Sequence, residues 1–265
     1  MRIAEIRVQG LFGCYDHDIE LSDEGLTYIH SLNGVGKSTT LNLIDHFFDG
    51  DLTSLRNTKF GTMTITFTDG SSVTVDGSGY VSYEKDGKKT PVGIEDVMSM
   101  VKVTYLSADR NMHYIGKELA VSSAGFLMKE LDSKVDSGNA DKEALDRLVS
   151  SLNKLYTNKK AYLDDNGHLK VSLEGHYDIP VDNLSSGEKQ VFIMFYTILF
   201  AAENGSLVII DEPEISLHVA WQQKLGRIFL DFCDCKDLQM IIATHSPMII
   251  HDRWDLSREM GIGRA

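Results

Sequence analysis

The chain has 265 residues, 42% of them hydrophobic, which is enough for one large domain or one domain carrying an insertion. A formal charge of −13 argues against a surface built mainly to coat phosphate backbones, and no run approaches the roughly 18 apolar residues that a bilayer-spanning helix requires. Three cysteines, Cys14, Cys233 and Cys235, supply no second pair for a zinc site and suit a cytosolic chain, and the N-terminus lacks the apolar core of a secretory signal.

In chain order, "RIAEIRVQGLFG" and "HDIEL" alternate with period two and predict two strands, and "GLTYIHS" predicts a third that runs straight into "SLNGVGKSTT". Leu41, Ile44, Phe47 and Phe48 then recur at helical spacing, so the order is strand, glycine-rich loop, helix. Thr and Val alternate around Asp69-Gly70 and Gly77, predicting an antiparallel meander over about 61–90. "VKVTYLSADR" reads as a buried strand with a polar end. About 115–165 reads as a helical insertion, broken at Ser137-Gly138-Asn139 and resuming with Leu145, Leu148, Leu152 and Leu155 on one face. "HLKVSLEGHYDIPVDNL" suggests a hairpin, and "SSGEKQVFIMFYTILFAAENG" a helix ending at Gly205. The apolar strands "SLVIIDEP" and "LQMIIATHSP" flank one more helix, as in a parallel sheet buried on both faces.

Four clusters carry chemistry. The loop ends as a phosphate-binding loop does, and Asn33, Gly34, Val35, Gly36, Lys37, Ser38 and Thr39 would line a cradle of backbone N–H groups. Lys37 would meet the outer phosphates, and Ser38 is the candidate Mg²⁺ ligand. Ser31 stands where the motif has its first glycine, which narrows the backbone without removing a phosphate donor. Asp211, at the end of an apolar strand, is the second candidate for Mg²⁺, and Glu212 beside it can polarise a water. His245 ends the next strand at the sheet edge where open α/β folds bind ligands, and could sense a γ-phosphate. Ser185, Ser186 and Gly187 open a helix whose N–H groups suit an anion, although Ser185 and Glu188 also spell a capping box. With one phosphate loop per chain, this second anion site makes sense if it closes over a nucleotide held by another copy.

Together "NGVGKST", "LSSGEKQ", "LVIIDEPEISLH" and "ATHSP", in that order, resemble the ATP-binding cassette (ABC) ATPases. "DEPEISLH" and the opening "IRVQGLFGCYDHDIEL" look like the RecF, SMC and OLD branch rather than membrane transporters, with the nearest likeness to small ATPases of bacterial anti-phage systems. The resemblance implies an α/β P-loop NTPase fold over 1–265, with a mixed or parallel central sheet, an N-terminal antiparallel meander and a helical insertion. It implies ATP and Mg²⁺ as ligands, with Lys37 and Ser38 in the Walker A, Asp211 and Glu212 in the Walker B, and His245 as the switch histidine. Ser185 and Gly187 would belong to a signature motif that reaches the γ-phosphate across a head-to-tail homodimer, and Glu188 stands where many members have Gln. The output would be control of a partner effector, a nuclease or toxin. A DNA-binding role in repair or chromosome maintenance is the alternative, with Lys59, Lys85, Lys88 and Lys89 as its basic candidates, and a transporter subunit ranks last. The glutamine expected near 105–111 is replaced by "SADRN", where Asp109, Arg110 or Asn111 could substitute. The chain ends about twenty residues after His245, with no attached nuclease or long arm expected.

Overall fold

The structure, a computed structural model, describes residues 1–107, 123–173 and 177–261 together with the backbone of 113–115 and 118–120. Asp109, Arg110 and Asn111 lie outside the described residues. Strand β1 (Ile3–Leu11) turns at Phe12 into β2 (Tyr15–Glu20), and β3 (Leu26–His30) enters the glycine-rich loop. Helix α1 (Lys37–Asp49) leaves the loop and stops at Gly50, whose φ of 79° is the left-handed cap that glycine adopts most readily. Helix α2 (Leu52–Asn57) follows, and then the meander of β4 (Thr62–Phe67), β5 (Ser72–Asp76), β6 (Val81–Lys85) and β7 (Lys88–Pro91). Helix α3 (Ile94–Met98) leads to β8 (Val103–Leu106) and the backbone strands β9 (His113–Ile115) and β10 (Glu118–Ala120). Next come α4 (Ala124–Asp136), α5 (Lys142–Leu155), β11 (Lys159–Leu163), β12 (Leu169–Leu173) and α6 (Ser186–Tyr196). The chain then alternates through β13 (Leu207–Asp211), α7 (Val219–Lys236), β14 (Gln239–Ala243), α8 (Pro247–Ile250) and β15 (Ser257–Glu259).

Among the described residues these strands form an antiparallel sheet in the order β2-β1-β4-β5-β6-β7, a mixed sheet in the order β10-β9-β8-β13-β14-β3-β15 and a two-stranded sheet of β11 and β12. From β8 to β15 the mixed sheet is parallel, and β9 and β10 extend it antiparallel. Alternation along β13 divides its side chains between two cores. Leu207 and Ile209 pack with α1 and the antiparallel sheet, while Val208 and Ile210 pack with α4 to α7. Helix α1 is therefore sandwiched between two sheets, with Leu41, Ile44, Phe47 and Phe48 buried. Because Asp211 continues the odd-numbered set of β13, its carboxyl emerges on the α1 side, where the loop ends.

The elements differ from the sequence reading in the middle of the chain. The helices of the expected 115–165 insertion occupy 124–136 and 142–155, and β9, β10 and β11 take up its ends. The main partner of β12 is β11, over five registered pairs, and the expected local hairpin amounts to one bridge, Ser172 to Asp178. Two lysines in "KKAYL" masked the apolar alternation of β11. The helix expected to reach Gly205 widens into a π turn over Thr197–Ala201 and ends there. Lys236 Nζ donates to the carbonyls of Ile198, Leu199 and Ala202 and so takes up backbone acceptors that further helix would have used.

Candidate functional site

The glycine-rich loop is built to leave donors open. Gly36 precedes α1 with φ 93°, and a Cβ there would meet Leu11 Cδ2 at 2.6 Å, so the close approach of the β1 corner calls for glycine. The residue offers no side chain to cap the first turn, and the first helical bond runs from Thr40 N–H to Gly36 O (2.8 Å). The N–H groups ahead of it, on Lys37, Ser38 and Thr39, are left for an anion at the positive end of the helix dipole. Asn33, Gly34 and Ser38 are exposed, and Gly34 has open space around its α-carbon. From below, His17 anchors the loop: its Nε2–H donates to the carbonyl of the buried Val35 (2.8 Å). Burial lowers the pKa of this imidazole and the Val35 bond opposes that shift in part.

Lys37 is 6% exposed, and its Nζ donates to Ser31 Oγ at 3.1 Å and approaches His245 Nδ1 at 3.5 Å. Ser31 is thus more than a tolerated departure from glycine, since its hydroxyl orients the ammonium. Burial lowers the Lys37 pKa, while Asp211, Glu212 and Glu214 pull it back up. An ammonium can only donate, so His245 Nδ1 accepts and the ring proton sits on Nε2. That nitrogen faces Glu212 Oε1 at 3.5 Å, a separation long enough to tighten when a ligand enters. Glu212 has φ 50°, which breaks the strand direction immediately after Asp211, and its N–H donates to Ala243 O (2.8 Å).

Asp211 is 4% exposed, and its buried Oδ1 has no hydrogen-bond partner among the described residues. Burial raises its pKa, with the Ser38 hydroxyl acting in the opposite direction through a hydrogen bond and Glu212 adding to the rise. A buried carboxylate oxygen without a partner, beside a hydroxyl at the mouth of an anion cradle, has the hard oxygen donors that suit Mg²⁺. Ser38 and Asp211 fit such an ion.

Two further residues carry the site and escaped the sequence reading. Glu214 Oε1 accepts from the backbone N–H of His245 (2.7 Å) and of Ser246 (3.2 Å), which ties the segment after β13 to the segment after β14. The third carboxylate of "DEPE" was its visible signal. Gln222 accepts from the Ser246 hydroxyl (2.6 Å) and steadies the same turn from α7.

Ser185 and Ser186 lie on the surface, and the adjoining Gly187 is packed against the segment after β13, where a Cβ on it would meet Ser216 O at 2.7 Å. The capping box is formed, with Glu188 N–H donating to Ser185 Oγ (3.3 Å) and Ser185 N–H to Glu188 Oε2 (2.7 Å). The Ser185 hydroxyl also hydrogen-bonds the Glu188 carboxylate. Glu188 is 5% exposed and is held by Lys159 Nζ at 2.6 and 2.8 Å. Its burial pushes the carboxyl up, but the Lys159 and Ser185 bonds outweigh this and leave the pKa lowered. A glutamate therefore serves at this position because a lysine 29 residues upstream neutralises it. Of the basic candidates on the meander, Lys85 is paired with Asp69 (2.9 Å).

A family described as "AAA domain, putative AbiEii toxin, Type IV TA system" matches residues 134–251, which hold the Ser185 helix, both strand-end carboxylates and His245. The chain is 26% identical over 182 residues to the retron Vc95 probable ATPase of Vibrio cholerae serotype O1 biovar El Tor, covering 59% of this chain and 34% of that protein. It is 28% identical over 126 residues to protein ea59 of Escherichia phage lambda, covering 47% of this chain and 23% of that protein. The chain thus spans about a third or less of the length of these relatives. Among solved structures, the SMC head domain from Thermotoga maritima superposes with a TM-score of 0.59 at 16% identity, over 94% of this chain and 91% of that one. An SMC head bound to the C-terminal winged-helix domain of ScpA gives 0.60 at 14% identity, also over 94% and 91%. At these identities the structural likeness concerns the fold.

Proposed function

We propose that this chain, an ABC-type ATPase of the RecF, SMC and OLD kind by fold and motif order, binds ATP at the loop of α1 and hydrolyses it as a dimerising switch. The observation that carries the reading is the chain of contacts from Ser31 through Lys37 and His245 to Glu212, next to the Ser38–Asp211 corner. The open N–H groups at the start of α1 receive the phosphates, and Lys37, turned by Ser31, supplies positive charge to the outer ones. Mg²⁺ held by Ser38 and Asp211 would neutralise charge that develops on the phosphates. Glu212 orients the attacking water and takes its proton, and His245 reports the γ-phosphate by giving up its Lys37 contact. Glu214 keeps the His245 backbone in place during that exchange.

The exposed Ser185–Ser186 corner at the N-terminus of α6 supports a head-to-tail homodimer in which each copy completes the other's nucleotide site. Contacts to the γ-phosphate disappear on hydrolysis, so nucleotide state sets the dimer population. The likeness to a retron ATPase supports control of an effector protein, a nuclease or toxin, in anti-phage defence. No helix among the described residues is long and apolar enough to cross a membrane.

The test is ATP turnover and light scattering of the parent and Glu212→Gln with ATP and Mg²⁺. Slow turnover with a stable dimer in the variant is the expected result. Parent-like turnover would remove the role of Glu212, and a monomer at saturating ATP would remove the switch.

A further inference from the structure

At the far end of α1 from the phosphate loop lies a cavity of about 490 Å³, between the last turn of α1, the start of β8 and the chain just before β13. Asp45 lines it and is 8% exposed. Among the described residues no hydrogen bond or ion pair meets its carboxyl, which burial and the neighbouring Asp49 push up to about 7. Native proteins rarely retain a buried carboxylate without a partner, because desolvation of the charge is uncompensated. The other groups on the cavity deepen the deficit. Asp49 and Glu203 are exposed at its rim, and Lys102 is the single ammonium on its wall among the described residues. Asp51 is occupied in capping α2, through Thr53 and Ser54 N–H, with His46 3.9 Å away. The last turn of the 13-residue α1 also presents its negative dipole end here.

We propose that this cavity is a binding site for an organic cation, a guanidinium or primary ammonium group seated on Asp45. Among the described residues no three His, Cys, Asp or Glu side chains converge in a way that could hold a metal ion, which turns the reading from a metal toward an organic cation. Phe48 and Met98 on the wall offer apolar surface to the alkyl stem that such a group carries. The site is separate from the nucleotide reading and stands or falls without it.

Two sources share this chemistry, a free cation and an arginine side chain presented by a partner. Agmatine and a blocked Gly-Arg-Gly tripeptide, each titrated calorimetrically at constant ionic strength, separate them. Either probe should bind saturably, and Asp45→Asn should weaken that binding at least tenfold. Tighter binding of the tripeptide assigns the site to a partner's side chain, and tighter binding of agmatine to a free cation. The second readout needs no variant. A cation favours the carboxylate, so titrations at pH 6.5 in buffers of different ionisation enthalpy should show proton release into the buffer. Absence of saturable binding by both probes, equal affinity in Asp45→Asn, or binding without proton release would overturn the proposal.

Discussion

Helix α1 keeps a buried carboxylate near each end, and the surroundings of the two differ. At the start, Asp211 faces the Ser38 hydroxyl and shares its corner with Lys37, itself held by Ser31 and His245, so its free oxygen lies within a set of groups that together fit a nucleotide and its metal ion. Toward the finish, Asp45 faces a cavity rimmed by further acids and has no hydrogen bond or ion pair among the described residues. The difference teaches that a buried charge is informative only with its neighbours: at Asp211 they suit the divalent ion beside phosphate that we propose, and at Asp45 the proposed organic cation.

Four changes sharpen or break the comparison, from largest effect to smallest. Lys37→Ala removes the ammonium at the loop end, and ATP affinity measured by calorimetry should fall by about a hundredfold or more. An unchanged affinity would mean that the loop is not the phosphate site. Glu214→Gln keeps one acceptor oxygen but weakens the grip on His245 N–H, and kcat should fall about tenfold with KM nearly unchanged. A change confined to KM would make Glu214 a binding residue instead.

Asp45→Asn acts at the other end and on stability. The folded carboxyl has a raised pKa, so the stability linked to its protonation is present below about pH 4 and is lost progressively as pH rises to about 7. Asparagine does not titrate. The variant should therefore be more stable than the parent by about 4 kcal/mol at pH 8, with the gain vanishing toward pH 4, as followed by urea unfolding. A pH-independent difference would mean that Asp45 is not the buried charge described. Smallest is Ser31→Ala, which removes one hydrogen bond to Lys37 and should raise KM for ATP about threefold with little change in kcat.

Much of this was legible in the sequence because it is local. The order strand, glycine loop, helix, the apolar run ending in Asp211-Glu212 and the run ending before His245 each announce themselves within ten residues. The rest depends on partners far apart in the chain. Lys159 explains Glu188 from 29 positions away, Glu214 reaches His245 across 31, and His17 on β2 supports Val35 across 18. Ser31 looked like a loss relative to glycine because spacing alone does not reveal that its hydroxyl faces Lys37. Strand β11 was hidden because its polar letters suit a solvated helix as well as a strand, and pairing with β12 settles it.

The central claim is that Glu212 acts on water in a site that closes on ATP. Its most direct test is single-turnover hydrolysis of ATP by Glu212→Gln, with ATP affinity measured on the same preparation. The account predicts parent-like affinity and a rate lower by about a hundredfold or more. Hydrolysis at the parent rate with affinity intact would contradict it.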